Sequence, residues 1–260
     1  MDYRAIKVEK SEGFAVVTLN RPEKLNAIDM TMISELEDII ASFESEKSLR
    51  AIVLTASGRV FSAGGDFELL KSLNTPTKAQ KAIRRIGRVV ERIMDMDKVW
   101  IAAVNGAAAG GGANLALACD FVVASEEARF AQSFVNIGLV PDTGGLWLLS
   151  RIVGISRAKE LVMTGRMIDA REAERYGLVL KVVPSEKLLD EAMELARTLA
   201  KKPPLAIGYI KRMASRIGEL SRQAYFDMEA DLMGIALQTE DHREGLKAFL
   251  EKREPSFKGE

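Results

Sequence analysis

An uncharged run from Val99 to Cys119, VWIAAVNGAAAGGGANLALAC, limits the fold more than any other feature of the chain. It is long enough to cross a bilayer as a helix. Asn105, Asn114 and four glycines interrupt it, however, and three of the glycines, Gly110 to Gly112, are consecutive. Glycine inside an element costs conformational entropy. Three in a row at the start of an apolar helix therefore mark a place that needs bare backbone. The need could be a turn with positive φ, two elements packed closely, or a ligand lying against main-chain N–H groups. The run reads as a buried strand, a glycine turn and a helix in a globular core, with no membrane span.

The same arrangement recurs along the chain. Ile6 and Val8 alternate with charge, Glu12-Gly13 turns, and FAVVTL follows, which predicts a hairpin. A helix is expected from about Thr31, with Ile33, Leu36, Ile40 and Phe43 on one face. RAIVLTASG reads as a strand and FSAGGDFELL as a second glycine-bearing strand-to-helix junction. FVVAS and ARFA read as short strands and LVLKVV as a later one, with Gly165 and Gly177 where helix C-caps belong. Beyond Pro203-Pro204 only helical patterns remain. Strands alternating with helices, then a helical tail, predict an α/β fold. Residues 1–202 form the expected core and 203–260 a helical oligomerisation region.

Composition removes several function classes. Lys and Arg total 37 and Asp and Glu 37, so no net field draws in nucleic acid or an anionic membrane. MDYRAIKVEK is charged from its second residue, which predicts no signal peptide, and the single Cys119 suits a reducing cytoplasm. His242, the one histidine, sits in the charged stretch TEDHREG, so Ser-His-Asp and Cys-His schemes lack a base. No His, Cys and carboxylate cluster has metal-ligand spacing. The glycine turn is neither a P-loop, which needs Lys-Ser/Thr, nor a G-x-G-x-x-G fingerprint.

The backbone itself remains. An N–H at a helix N-terminus has no intrahelical partner and lies at the positive end of the helix dipole. Aimed at a carbonyl oxygen that becomes negative, it forms half of an oxyanion hole. SAGGD at 62–66 offers a second such turn. From pattern alone, close packing and catalysis stay equally open.

NRPEKLNAI, FSAGGDFELL, AAVNGAAAGGGANLALACD, ARFAQSFVNIGLVPDTGG, TGRMIDAREAERYGLVLKVV and FLEKREPSFKG together resemble the crotonase, or enoyl-CoA hydratase/isomerase, superfamily over nearly the full length. The resemblance implies a spiral of ββα units with a helical trimerisation region, and hence a homotrimer or a dimer of trimers. It implies an acyl-CoA substrate whose thioester oxygen is held by the amides of Gly65 and Gly111. Coenzyme A then belongs to the substrate, and no separate cofactor is expected. It also carries Lys24, Ala27, Ala63, Gly64, Asp66, Asn114, Phe134 and Lys258 over as substrate-binding positions. Asp66 has a plainer reading as a turn-fixing residue, and Lys24 and Lys258 as surface lysines.

The chain departs from the hydratases where chemistry matters. They carry a glutamate at each of two positions, which here are Asn114 and Phe134. An amide cannot take a proton and a phenyl ring can do neither acid nor base work. One nearby carboxylate remains, Asp142 in GLVPDTGG, which could simply cap the following helix. The resemblance is strongest to the ring-epoxide and Δ3,Δ2-type enoyl-CoA isomerases of phenylacetate degradation, in which an aspartate at this place is the single acid–base group. Cover from Phe134, Leu139 and Val140 is expected to raise its pKa. A hydratase working with other residues is the alternative. An RNA-binding protein using Lys81, Arg84, Arg85, Arg88 and Arg92 is an alternative of another class.

Overall fold

In the computed structural model, which describes residues 3–260, the alternation of strands and helices becomes two sheets wrapped by helices. The first hairpin pairs β1 (Ile6–Lys10) antiparallel with β2 (Phe14–Leu19). Helix α1 (Met30–Ser45) follows, its first turn capped by Asp29, which accepts from the Met32 amide at 2.8 Å. From β3 (Ala51–Ala56) onward one unit repeats: a long strand, a sharp turn, a short strand and a helix. β3 leads to β4 (Val60–Ser62), α2 (Phe67–Ser72) and α3 (Pro76–Asp95). β5 (Val99–Val104) leads to β6 (Ala107–Ala109) and α4 (Gly111–Leu117). β7 (Phe121–Ser125) leads to β8 (Arg129–Ala131), a 3-10 turn over Ser133–Ile137 and α5 (Gly145–Thr164). Then come β9 (Met167–Asp169), α6 (Ala170–Arg175), β10 (Lys181–Val183) and α7 (Leu188–Ala200).

One sheet has the order β1-β2-β3-β5-β7-β10, parallel except for β1, which runs antiparallel to β2. Short strands gather separately as β4-β6-β8-β9, with only β9 antiparallel to its neighbour. This is the expected α/β spiral of ββα units. A parallel sheet covered on both faces reads as a continuous apolar run, which explains the uncharged 99–104 stretch. Trp100, Ala102 and Val104 pack with Ile33, Leu36 and Ile40 of α1 and Val89 and Ile93 of α3. The alternate residues Val99, Ile101 and Ala103 join Leu188, Ala192 and Ala196 of α7.

Gly154, at φ +73° and ψ 159°, breaks α5 into two helical pieces. One local expectation changes. LVLKVV keeps strand geometry only over β10, because the amides of Leu178 and Val179 turn back onto the Ala173 carbonyl. β6 and β9 have three residues each, too few for a period to register.

After Pro203 the chain continues as α8 (Pro204–Arg216), α9 (Arg222–Ala236) and α10 (Glu240–Glu251). The tail then returns to the sheet, where Arg50, just before β3, donates to the Phe257 carbonyl at 2.6 Å. Among the described residues no helix is long and apolar enough to cross a membrane.

Candidate active site

The two glycine-bearing turns of the sequence abut in space. Each lies beyond the C-terminal end of a long parallel strand, after a short strand of the second sheet. Ile28 bridges to Gly65 in a parallel sense, donating to the Gly64 carbonyl at 2.7 Å and accepting from Asp66 at 3.0 Å. A methyl group on Gly64 would stand 2.9 Å from the Ala109 carbonyl oxygen and 3.5 Å from the Gly111 nitrogen. Gly64, at φ +93°, is thus fixed by backbone conformation and by its closeness to the second turn.

The three consecutive glycines serve different needs. Gly110 has φ +51° and ψ −124°, a conformation open to glycine alone. A methyl on Gly112 would reach within 2.5 Å of the Ser62 Cβ, so this glycine lets α4 pack on β4. Gly111 answers to neither constraint. Its φ is ordinary, and a methyl there would meet only Ile28 Cδ1, at a relaxed 3.6 Å. It is the first residue of α4, and among the described residues no acceptor lies on its amide. Gly65 resembles it, with Leu70 side-chain atoms no nearer than 3.7 Å and no acceptor on its amide. Two unsatisfied donors on adjoining turns, each with space in front, can together hold one anionic oxygen.

The segment from Arg21 to Ile28 walls this place. Leu25 and Asn26 both take left-handed backbone, at φ 52° and 51°. The fully buried Asn26 holds that shape by donating to the carbonyls of Ser57 and Val60 and accepting from the Arg21 amide. Ala27 is buried and Lys24 is exposed at the end of a short 3-10 turn. Ala63 joins the wall by donating to the Leu25 carbonyl at 3.0 Å.

Asp66 caps α2, accepting from the amides of Glu68 and Leu69, and pairs with Arg21 at 3.4 Å. Burial pushes its pKa up, but the two amides and the Arg21 guanidinium outweigh this and hold it below the usual carboxylate value. That is a turn-fixing anion. Phe134 lies in the 3-10 turn, its ring 3.4 Å from where a Gly110 methyl would stand, so it presents only apolar surface.

Asn114 is wholly buried and hydrogen-bonded through both ends of its amide. Its Nδ2 donates to the Asp142 carbonyl and to Thr143 Oγ1, both at 2.9 Å, while its Oδ1 accepts from Gln132 at 2.6 Å. Asn114 follows Gly111 by three residues on α4, so its hydrogen bond ties the Asp142 main chain to the helix that Gly111 begins.

The plainer reading of Asp142, as a helix cap, fails. It does not cap α5: the N-cap is Gly144, no side chain caps there, and the Gly145 amide goes to the Asp142 main-chain carbonyl at 2.9 Å. Leu139 and Val140, expected to cover it, are 44% and 80% exposed in the single chain. Burial still pushes the Asp142 carboxyl above its usual value, partly offset by a hydrogen bond from the Thr143 hydroxyl at 3.1 Å.

Lys258 lies elsewhere. It lines a cavity of about 240 Å³ with Arg50 and Lys98, at the end of β3 opposite the glycine turns. The return of the tail to Arg50 puts it there, so within one chain it does not join the site. The basic stripe of α3 is partly neutralised, Arg85 by Glu37 at 2.5 Å and Arg92 by Glu44 at 2.8 Å. His242 is exposed on α10, as its charged surroundings predict.

Sequence reasoning missed Thr143 and Gln132. Thr143 is buried at φ +46°, a left-handed conformation that a β-branched residue rarely adopts and that costs about 1–3 kcal/mol. No one-letter pattern announces it.

Comparison with known proteins places this geometry. The enoyl-CoA hydratase/isomerase family profile matches residues 9–260. A 1,2-epoxyphenylacetyl-CoA isomerase of Escherichia coli (strain K12) is 38% identical, over 100% of this chain and 99% of that protein. A crotonyl-CoA hydratase of Syntrophomonas wolfei is 37% identical, over 99% of each. The crystal structure of an enoyl-CoA hydratase from Bacillus anthracis superposes with a TM-score of 0.95 at 34% identity, covering 99% of this chain and 100% of that one.

Proposed function

Because the chain belongs to the enoyl-CoA hydratase/isomerase family, we propose that it shifts a double bond in an acyl-CoA thioester, with Asp142 as the only acid–base group. The amides of Gly65 and Gly111 hold the thioester oxygen while it carries enolate charge. Asp142 removes a proton from one carbon of the acyl chain and returns it two carbons along. A single carboxylate suffices for that exchange. Hydration would need a second group to activate water.

One observation carries the choice of isomerisation over hydration. Asn114, at the first hydratase glutamate position, spends both N–H donors and its oxygen on Asp142, Thr143 and Gln132. With both N–H donors spent and no group that can take a proton, it cannot activate water, and Phe134 at the second position has no polar atom. Relatives named as isomerase and as hydratase are equally similar, so the reaction rests on these residues and not on the names.

Turnover of 3-enoyl-, 2-enoyl- and cyclic acyl-CoAs, followed by UV absorbance and mass, tests the reading. Isomerisation is expected to exceed hydration of crotonyl-CoA under the same conditions. Asp142→Asn should lower the isomerase rate by ~10²–10⁴, the worth of a positioned acid–base group, while acyl-CoA affinity changes little. Efficient hydration, or a folded Asp142→Asn enzyme with most of its isomerase rate, would defeat the proposal.

A further inference from the structure

We infer that Thr143 is a positioning residue: Asn114 turns its hydroxyl into a donor that holds Oδ1 of Asp142 and leaves Oδ2 as the oxygen that exchanges the proton. The inference rests on the reading of Asp142 as the acid–base group.

The direction of each hydrogen bond follows from chemistry. A main-chain carbonyl can only accept, so the group of Asn114 facing the Asp142 carbonyl must be its amide nitrogen. That nitrogen's second hydrogen goes to Thr143 Oγ1 at 2.9 Å. The Asn114 oxygen, on the other side, takes the Gln132 amide, which fixes the orientation from behind. Having accepted from Asn114, the Thr143 hydroxyl has its own hydrogen to give, and Asp142 Oδ1 lies 3.1 Å away. An ionised carboxylate can only accept. The chain of donors thus runs one way, from α4 to the carboxylate.

Backbone geometry makes the same point independently. Thr143 and Gly144 take consecutive left-handed conformations, at φ +46° and +78°. Glycine would suit position 143 better on backbone grounds. The threonine conformation is held by its two side-chain bonds and by burial at 6% exposure. A glutamate in place of Asn114 could donate nothing in its ionised form and would set a carboxylate against the Asp142 carbonyl. An amide at 114 and a usable Asp142 therefore belong together.

Few other groups reach Asp142. Among the described residues, only the Thr143 hydroxyl and its own backbone amide hydrogen-bond to its carboxyl. The α4 helix carries no titratable residue, and the first on α5, Arg151, is spent on the carbonyls of Ala214, Ser215 and Ile217.

Thr143→Val, Thr143→Ser and Thr143→Gly, assayed beside Asp142→Asn, test the assignment. Valine keeps the shape and deletes the donor. With that donor gone, only the Asp142 backbone amide still opposes burial, so the acidic limb of the kcat/KM profile should move to higher pH. kcat at neutral pH should fall roughly 10- to 100-fold, the worth of one hydrogen bond to a charged group, with KM little changed. Serine should restore the limb. Glycine relieves the left-handed strain yet lacks the hydroxyl, so it should still fold and still show the displaced limb. That variant keeps the test alive if valine misfolds. Folded Val or Gly variants with a wild-type limb, beside an inactive Asp142→Asn, would overturn the role of Thr143 alone. An active Asp142→Asn would overturn the acid–base reading and this inference with it.

Discussion

Three identical letters, Gly110, Gly111 and Gly112, separate only when the backbone is known. One is demanded by its φ, one by Ser62, and one by nothing in the protein itself. That difference predicts three mutational outcomes. Gly112→Ala should destabilise by about 1–3 kcal/mol, the range for forcing an extra carbon into a packed contact, as read by thermal or urea unfolding. Gly111→Pro should unfold normally, since the first position of a helix tolerates proline. It should nevertheless lose a rate factor equivalent to about 2.7–4 kcal/mol through deletion of one oxyanion donor. Gly111→Ala, which keeps the N–H, should lose less. If the proline variant turns over like wild type, Gly111 leaves the mechanism. The sequence marks that bare backbone is needed here but not which glycine needs it for which reason. Likewise Asp142 looks like a helix cap until the structure gives that place to Gly144. Thr143 leaves no trace in the sequence at all, because its signal is a φ angle.

At the scale of elements, legibility follows length and repetition. Six-residue strands between turn residues, such as FAVVTL and VWIAAV, declare themselves, as does α1 with its apolar face. The three-residue strands β6 and β9 do not, because they are specified by their neighbours. One long-range tie was also invisible: Lys211 of α8 reaches Asp120 at 2.7 Å and the Lys98 carbonyl at 2.8 Å. Asp120 in turn accepts from the Trp100 amide, so a single ammonium pins the first C-terminal helix to the start of β5. With side chains 10% and 22% exposed, the pair is shielded enough that losing one partner leaves an uncompensated charge. Lys211→Met should cost about 3 kcal/mol in urea unfolding, the lower end of the range for breaking a buried pair. Asp120→Asn with Lys211→Met should recover part of the loss. An unchanged melting midpoint for Lys211→Met would show that apolar packing alone holds α8.

At the scale of the molecule, the three C-terminal helices leave large apolar side chains in water. Ile210 on α8, Phe226 and Met233 on α9 are all more than half exposed, and Phe249 and Leu250 on α10 are 81% and 71% exposed. Monomeric proteins rarely carry contiguous apolar patches beyond a few hundred Å², and a second copy of the chain offers the same surface in return. The resemblance to the crotonase superfamily supplies the number three. Assembly also bears on the site, since Lys258 lies at the end of β3 away from the glycine turns and could meet a CoA phosphate only in a neighbouring copy. Light scattering coupled to size-exclusion chromatography should therefore give a trimer or a multiple of three. Phe249→Asp with Leu250→Asp should shift it toward smaller species, while circular dichroism remains that of a folded α/β protein. A wild-type chain that stays monomeric at micromolar concentration and remains active would refute the assembly and leave those apolar faces to some other partner.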